Sequence, residues 1–374
     1  MSAWSAADIA YMQRALLLAA RGLNTTDPNP RVGCVLVRDG AIIGEGWHER
    51  VGEPHAEALA LKSAAAAQGV VGATGTAAGA TAYVTLEPCG AVGRNPPCSQ
   101  ALIAAGVVRV VYAIADPNPA KHHGAQQLLD AGIAVQSGLL ADEARALNPG
   151  FHKRHETGMP WVRLKLGVSL DGRTALASGE SRWITSKAAR QDAQRYRARS
   201  SAILTGIGTL LTDDPALNVR LDGATRQPLR VVLDSQMRAL PQSRVFEREG
   251  PSLLVAVRED ATRREALEAV GAEVAIVSAD AAGHTDLAAA LRMLATRGLN
   301  EVWVEAGAIL SGALLAGGHV DELIIYYAPC LLGSSARGMA DLPLLDSLDG
   351  RIKFQIRECQ MIGEDLRVTA QCVV

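Results

Sequence analysis

The chain has 374 residues, 48% hydrophobic and 20% charged, and its 37 Lys plus Arg nearly cancel 39 Asp plus Glu to leave a formal charge of −2. At ~150 residues per domain this predicts two domains, and the composition excludes a disordered or collagen-like chain. The near-neutral balance excludes a chain-wide attraction to nucleic acid or an acidic membrane surface, so any anion site must be local.

Ser5 followed by Asp8, then Ile9, Met12, Leu16 and Ala19 at helical spacing, predicts a capped helix that stops at Gly22. Val32–Val37 and Ala41–Gly46 are strand-like runs about Asp39-Gly40, a hairpin dipeptide because both turn residues need positive φ. Helix and strand then alternate: helix Ala56–Gln68, strand Thr81–Leu86, helix Pro97–Ala105, strand Val107–Ala113, helix Ala125–Ala131, strand Ile133–Val135. Such alternation implies a sheet covered on both faces. The stretch Ala141–Pro160, with Asn148-Pro149-Gly150, a charged run and Gly158-Met159-Pro160, predicts a domain crossing, placing a first domain at 1–145, a linker at 146–160 and a second domain at 161–374. In the second domain strands are expected at Trp161–Ser169, Ser201–Leu204, Leu229–Asp234, Ser252–Val257, Glu273–Val277, Glu301–Glu305 and Leu323–Pro329. Helices are expected near Lys187–Arg199, Thr262–Val270, Leu287–Arg297 and Ile309–Ala316.

No run of ~18 apolar residues occurs, and the opening MSAWSAADIA lacks the basic region and apolar core of a secretory signal, so a cytoplasmic protein is expected. In a reducing compartment six scattered cysteines do not make a disulfide scaffold; a paired subset points to metal or catalysis. His55-Ala56-Glu57 opens a helix and Pro88-Cys89 with Cys98 follows a strand, so one imidazole and two thiolates can converge at adjacent helix starts. Three protein ligands on zinc leave the fourth tetrahedral position for water, whose pKa falls to ~7 on the metal, and Glu57 is then placed to shuttle protons as general acid/base. This is the zinc-deaminase signature with one departure: eight residues rather than two separate the cysteines. His122-His123, with no thiol or carboxylate at ligand spacing, is read as a solvated loop pair.

Gly206-Ile207-Gly208-Thr209-Leu210-Leu211 follows a strand, but Leu211 fills the third small position, so the dinucleotide fingerprint fails. Gly167, Gly206, Gly208 and Gly307 instead permit close backbone approach to a dinucleotide, and Glu305-Ala306-Gly307-Ala308 ends a strand and opens a helix whose free N–H groups suit a pyrophosphate.

Pro28-Asn29-Pro30, Gly46-x-His48, Glu53-Pro54-His55-Ala56-Glu57, Thr85-Leu86-Glu87-Pro88-Cys89, Pro96-Pro97-Cys98 and Asp116-Pro117-Asn118-Pro119 resemble the deaminase half of the bifunctional riboflavin-biosynthesis deaminase/reductases. The likeness continues through Lys165-Leu166-Gly167, Ser169-Leu170-Asp171-Gly172, Trp183-Ile184-Thr185-Ser186, Asp213-Asp214-Pro215, Asp234-Ser235 and Val304-Glu305-Ala306-Gly307, so it spans nearly the whole chain. It implies an α/β protein with a cytidine-deaminase-like three-layer domain followed by a dihydrofolate-reductase-like domain, with Zn2+ and NADPH as cofactors. It further implies removal of the 2-amino group of a phosphoribosylamino-diaminopyrimidinone, then hydride delivery to C1′ of the ribose.

By position, Asn29, His48, Arg94, Asp116 and Asn118 resemble the deaminase substrate contacts; Asp116-Pro117-Asn118-Pro119 is equally good turn chemistry. Gly167, Trp183, Thr185, Thr209, Asp213, Ser235, Gly307 and Ala308 resemble the cofactor side. Lys165, as a catalytic group, and Ser181, Arg197, Leu217, Arg220 and Glu305 resemble the reductase substrate side, with Arg197 and Arg220 suited to a phosphate. The expected partners are small phosphorylated pyrimidines and further copies of the chain in a homo-oligomer, with no nucleic acid and no membrane. Two alternatives stand beside this reading: a nucleobase or nucleotide deaminase with a non-catalytic C-terminal dimerisation domain, and a zinc-stabilised nucleic-acid module. The second lacks basic grooves and, at 4% aromatic residues, stacking platforms.

Overall fold

The computed structural model describes residues 4–70, 72, 74–91, 96–121, 123–247 and 249–373. The chain divides into two compact units, 1–157 and 158–374.

The first unit runs α1 (Ala6–Ala19), β1 (Gly33–Arg38), β2 (Ala41–Trp47), α2 (Ala56–Ala67), β3 (Thr81–Leu86), α3 (Cys98–Ala104), β4 (Arg109–Ile114), α4 (Gly124–Asp130), β5 (Ala134–Ser137), α5 (Ala141–Leu147) and α6 (Pro149–Thr157). Ser5 closes a capping box at α1: its hydroxyl accepts from the Asp8 amide at 3.0 Å, and the Asp8 carboxylate accepts from the Ser5 amide at 3.2 Å. Asp39 and Gly40 take φ of 51° and 74°, the paired positive values that turn β1 into β2. The sheet order is β2-β1-β3-β4-β5, with β1 antiparallel to both neighbours and β3, β4 and β5 parallel. Alternate β1 residues face opposite ways. Leu36 joins Leu61 of α2, Leu102 of α3 and Leu128 of α4 on one side, while Val35 joins Met12 and Leu18 of α1 and Ala144 of α5 on the other. Helices on both faces make three layers.

Two glycines set how closely α2 approaches β2. A Cβ on Gly44 would fall 2.3 Å from the Ala60 carbonyl oxygen, and one on Gly46 would fall 2.4 Å from the Ala56 oxygen.

The second unit runs β6 (Trp161–Ser169), β7 (Arg173–Ala175), α7 (Lys187–Arg199), β8 (Ala202–Gly206), α8 (Ile207–Asp213), β9 (Leu229–Leu233), α9 (Arg244–Glu247), β10 (Ser252–Ala256) and α10 (Ala261–Glu268). It continues with β11 (Glu273–Ile276), α11 (Leu287–Thr296), β12 (Glu301–Glu305), α12 (Ala308–Ala316), β13 (Glu322–Ala328), β14 (Arg337–Gly338), β15 (Phe354–Ile362) and β16 (Asp365–Cys372). Nine strands form one sheet in the order β11-β10-β9-β8-β12-β6-β13-β16-β15, parallel from β11 to β13 and antiparallel in the closing hairpin. Leu164, Leu204, Val231 and Val304 pack under α11 and α12, and Ile203, Val232, Leu254 and Trp303 pack under α7, α8 and α10. Arg163 is buried in this sheet, where its guanidinium donates to both Glu301 and Glu322.

Two differences from the sequence reading have physical causes. The segment 146–160 holds α6, because Pro149 sits at the first helical position, where a missing N–H costs nothing. The β15–β16 hairpin goes unread because β15 is solvent-exposed along most of its length, which leaves no hydrophobic alternation, and a bulge between Ile356 and Glu358 shifts its register.

Gly46→Ala is expected to push α2 off β2 at a cost of ~1–3 kcal/mol. Thermal unfolding reads this as a lowered midpoint; an unchanged midpoint would contradict the close packing.

Candidate functional site

His55 is the N-cap of α2, in extended conformation, so its ring leaves the helix end, while Glu57 lies in the first turn and is only 3% exposed. Cys98 is the first residue of α3, and Cys89 follows the end of β3. These elements bring His55 Nδ1 to 3.2 Å from Cys98 Sγ and 3.6 Å from Cys89 Sγ, with all three donor atoms within 4.8 Å of one another. The surrounding loop is tied down by its backbone. The Cys98 amide donates to Cys89 Sγ at 3.4 Å and the Ser99 amide to the Cys89 carbonyl at 3.3 Å. Gln127 of α4 donates to the Gly90 carbonyl at 2.8 Å and accepts from the Ser99 hydroxyl at 2.6 Å.

The electrostatics of this cluster call for a cation. Hydrogen bonding with Cys98 pulls the Cys89 thiol down to about 4, and His55 and the Cys98 amide assist against burial. The same contact, together with burial, drives Cys98 up. One thiolate therefore suppresses the other until a positive ion sits between them. Burial raises Glu57, the nearby carboxyl, and hydrogen bonding to Cys89 raises His55. One half-buried imidazole and two buried thiols, convergent, are the donor set of a three-ligand zinc site, so the residues present fit the metal.

A cavity of about 180 Å³ opens beside the cluster. His55, Cys89 and Glu57 line one end, and Asn29, His48, Glu87, Asp116 and Asn118 line its walls. His48 Nδ1 lies 3.1 Å from the Pro54 carbonyl and Nε2 lies 3.0 Å from Asn29 Nδ2. A carbonyl only accepts, so this network assigns the proton to Nδ1 and makes the ring neutral, in line with burial lowering its pKa. Asp116 and Asn118 make the turn and also line the cavity: each accepts a backbone N–H two residues on, at 2.9 and 3.0 Å. Arg94 and His122 lie outside the described residues.

In the second unit Lys165, in the middle of β6, is the register partner of Glu305, which ends the adjacent parallel strand β12 on the side where open α/β sheets bind ligands. Burial lowers Lys165, opposed by the Glu305 charge. Burial works against the Glu305 carboxylate too, but the Arg197 guanidinium holds it down at about 2. Arg197 donates Nε and Nη2 to Glu305 at 2.6 and 2.8 Å and Nη1 to the Asn218 carbonyl at 2.8 Å. The Arg197 fork is thus bonded to the Glu305 carboxylate, another residue of the expected substrate side. Arg220 is the exposed guanidinium of this region, steered by Asn218 Oδ1 at 3.0 Å. Leu217 gives its side chain to the core, at 1% exposure, leaving its backbone as its contribution to any site.

A Cβ on Gly167 would stand 3.2 Å from Thr185 Cγ2 and 3.3 Å from Lys165 Nζ, and one on Gly307 would meet Thr209 Oγ1 at 3.8 Å. Gly307 caps α12, which begins at Ala308, without a side-chain hydrogen bond. Ser235 Oγ accepts from the Thr285 amide at 2.9 Å, Asp213 accepts from Arg182, and Trp183 is 70% exposed with the Arg190 guanidinium 4.3 Å over its ring. Ser181 lies half-buried in the loop before α7.

Residues 5–114 match the cytidine and deoxycytidylate deaminase zinc-binding region, and residues 160–368 match the RibD C-terminal domain. The chain belongs to the RibD family. The riboflavin biosynthesis protein RibD of Escherichia coli is 51% identical over 369 residues, spanning 95% of this chain and 97% of that protein. The solved Acinetobacter baumannii RibD superposes with a TM-score of 0.89 at 42% identity, covering 98% of this chain and 99% of its own. A Thermotoga maritima protein described as a diaminohydroxyphosphoribosylaminopyrimidine deaminase/5-amino-6-(5-phosphoribosylamino)uracil reductase gives 0.85 at 32%, with the same coverage. The RibD chain thus joins a cytidine-deaminase-like three-layer unit to the α/β reductase unit of the family.

Sequence reading missed four residues that the structure places on the cavity: Glu87, Phe151, Arg154 and His155. The Glu87 carboxylate accepts from the Asp116 and Ala125 amides at 3.3 and 3.1 Å, binding the Asp116 turn to the start of α4. The other three ride on α6. The available signal was Asn148-Pro149, a helix-start pair, read there as a breaker.

Replacing Glu305 with Gln leaves the Arg197 charge buried without its partner. A loss of ~3–5 kcal/mol is expected in the second unit, read by denaturant unfolding, with zinc content unchanged; an unaltered unfolding midpoint would remove the pair from the core of that site.

Proposed function

We propose that the chain performs two consecutive steps of riboflavin biosynthesis. The first unit hydrolyses 2,5-diamino-6-(5-phosphoribosylamino)pyrimidin-4(3H)-one to the aminouracil, releasing ammonia. The second uses NADPH to reduce the ribosyl to the ribityl side chain. The carrying observation is the convergent His55, Cys89 and Cys98 cluster with Glu57 on one cavity wall, in a chain that matches RibD proteins over nearly its full length.

His55, Cys89 and Cys98 hold the zinc, which when bound supplies a water of pKa ~7 to the hydrolysis. With the metal in place Glu57, on the same cavity, would take a proton from the attacking water and pass it to the leaving amine, so that water enters and ammonia departs. Asn29 and the neutral His48, with Asp116 and Asn118, orient the pyrimidinone by hydrogen bonds, and Arg94 meets its phosphate.

In the second unit Gly167, Trp183, Thr185, Thr209, Asp213, Ser235, Gly307 and Ala308 hold NADPH, the source of the hydride. Lys165 donates a proton to the sugar oxygen as its carbon is reduced. Glu305 fixes the Lys165 ammonium and is itself fixed by Arg197, while Ser181, Leu217 and Arg220 complete the substrate side.

A deaminase with a non-catalytic second half is not favoured, because that half matches the RibD C-terminal domain and carries the Lys165, Glu305 and glycine arrangement. The described residues include no helix long and apolar enough to cross a membrane. We place the enzyme in the cytoplasm as a homo-oligomer, with no nucleic-acid partner.

Glu57→Gln should retain zinc yet lose ~10²–10⁴-fold in ammonia release, followed by a coupled ammonia assay. Undiminished deamination would remove Glu57 from this role. Stripping zinc with a chelator should stop deamination while NADPH oxidation on the deaminated intermediate continues; loss of both activities would tie the metal to the second unit as well.

A further inference from the structure

The cavity beside the cluster measures about 180 Å³, and the phosphorylated arm of a pyrimidinone bound there needs a cationic partner of its own. The charges on the lining are arranged by sign. Glu57, Glu87 and Asp116 are acidic, and among the described lining residues Lys and Arg occur only as Lys121 and Arg154. Arg154 comes from α6, a helix whose placement is fixed from its first turn. The Asn148 amide pairs with both backbone groups of Arg31: the Arg31 N–H donates to Oδ1 at 2.8 Å, and Nδ2 donates to the Arg31 carbonyl at 2.9 Å. The Arg31 guanidinium donates back to the Leu147 carbonyl at 2.7 Å. The chain leading into α6 is therefore fastened to the residue that follows Asn29-Pro30 on the cavity lip.

So held, α6 turns Phe151, Arg154 and His155, at spacings of three and four, onto the cavity from one helix face. Arg154 Nη2 donates to His155 Nε2 at 3.0 Å. Burial, and the Arg154 charge with it, lowers His155, which keeps that ring a neutral acceptor. The His155 ring stands at 62° to the Phe151 ring, with centroids 4.7 Å apart, so the imidazole that aims the guanidinium is itself packed in place. The Asp27 charge acts on Arg154 from the first unit's own loop and supports its ionised form against burial. A planar guanidinium on the lining of this cavity suits a phosphate monoester.

We infer that Arg154 contacts the substrate phosphate in the deaminase site and sets its preference for phosphorylated pyrimidines, with His155 as the residue that positions it. The inference rests on the deaminase reading above and adds a specificity residue to it.

The test compares ammonia release from the phosphoribosylamino-diaminopyrimidinone and from its dephosphorylated counterpart, using zinc-loaded full-length protein. Wild type is compared with Arg154→Ala and Arg154→Lys. Losing one charge-assisted contact should reduce the preference for the phosphorylated compound roughly tenfold or more in Arg154→Ala, carried by KM, and Arg154→Lys should recover part of it. An unchanged preference, or an equal fall on both compounds, would overturn the assignment and leave Arg154 a structural residue. Zinc content and NADPH-dependent reduction by the second unit report whether each variant is folded. Should Arg154→Ala lose its zinc, the same ratio in Arg154→Lys decides: a reduced preference supports the contact and an unchanged one overturns it. Wild type releasing ammonia from neither compound would instead refute the underlying deaminase reading.

Discussion

Convergence of two helix starts on the end of one strand is the constraint on which the first unit depends. His55 and Cys98 each open a helix, Cys89 follows β3, and the electrostatic outcome is a pair of thiols that cannot both ionise unaided. A divalent cation resolves that frustration, and the fold is built to hold the frustrated arrangement. Gly46 lets α2 press onto β2. Gly124 lets α4 approach so closely that a Cβ there would fall 1.7 Å from the Pro88 carbonyl oxygen, beside Cys89. Function and packing are thus joined at backbone contacts that tolerate no side chain.

The second unit meets a related problem with charges in place of a metal. Lys165 of β6, Glu305 at the end of β12 and Arg197 of α7 are gathered together, and burial alone would neutralise the carboxylate. The bidentate bond from Arg197 keeps it ionised, and a hydrogen bond from Trp303 Nε1 at 2.7 Å completes its shell. A lysine beside a fixed carboxylate is held near one geometry before any substrate arrives, which is the protein's share of a reaction whose hydride belongs to the cofactor.

Much of this was legible in the sequence, for reasons that differ by element. The strand Trp161–Ser169 is found with its true limits because Val162, Leu164, Leu166 and Val168 alternate with Arg163, Lys165, Gly167 and Ser169 at the strand period of two. His55, Glu57, Cys89 and Cys98 stand out because metal ligation restricts residue type more than spacing, so the eight-residue gap does not hide them. The Arg197–Glu305 pair was not legible, since a sequence shows a cation on a helix and not the carboxylate it bonds, on a strand more than a hundred residues away. Helix α6 was lost to its own punctuation: Pro149 signals a break in the interior of a helix and a start at its first position. Hairpin β15–β16 was lost because an exposed strand carries no pattern of burial to read.

X-ray absorption at the zinc K-edge of the purified, metal-loaded protein addresses the central claim most directly. The account predicts two sulfur scatterers at ~2.3 Å, one imidazole nitrogen at ~2.0 Å and a single light oxygen donor that responds to added substrate. A shell with four protein donors, or one without sulfur, would contradict it.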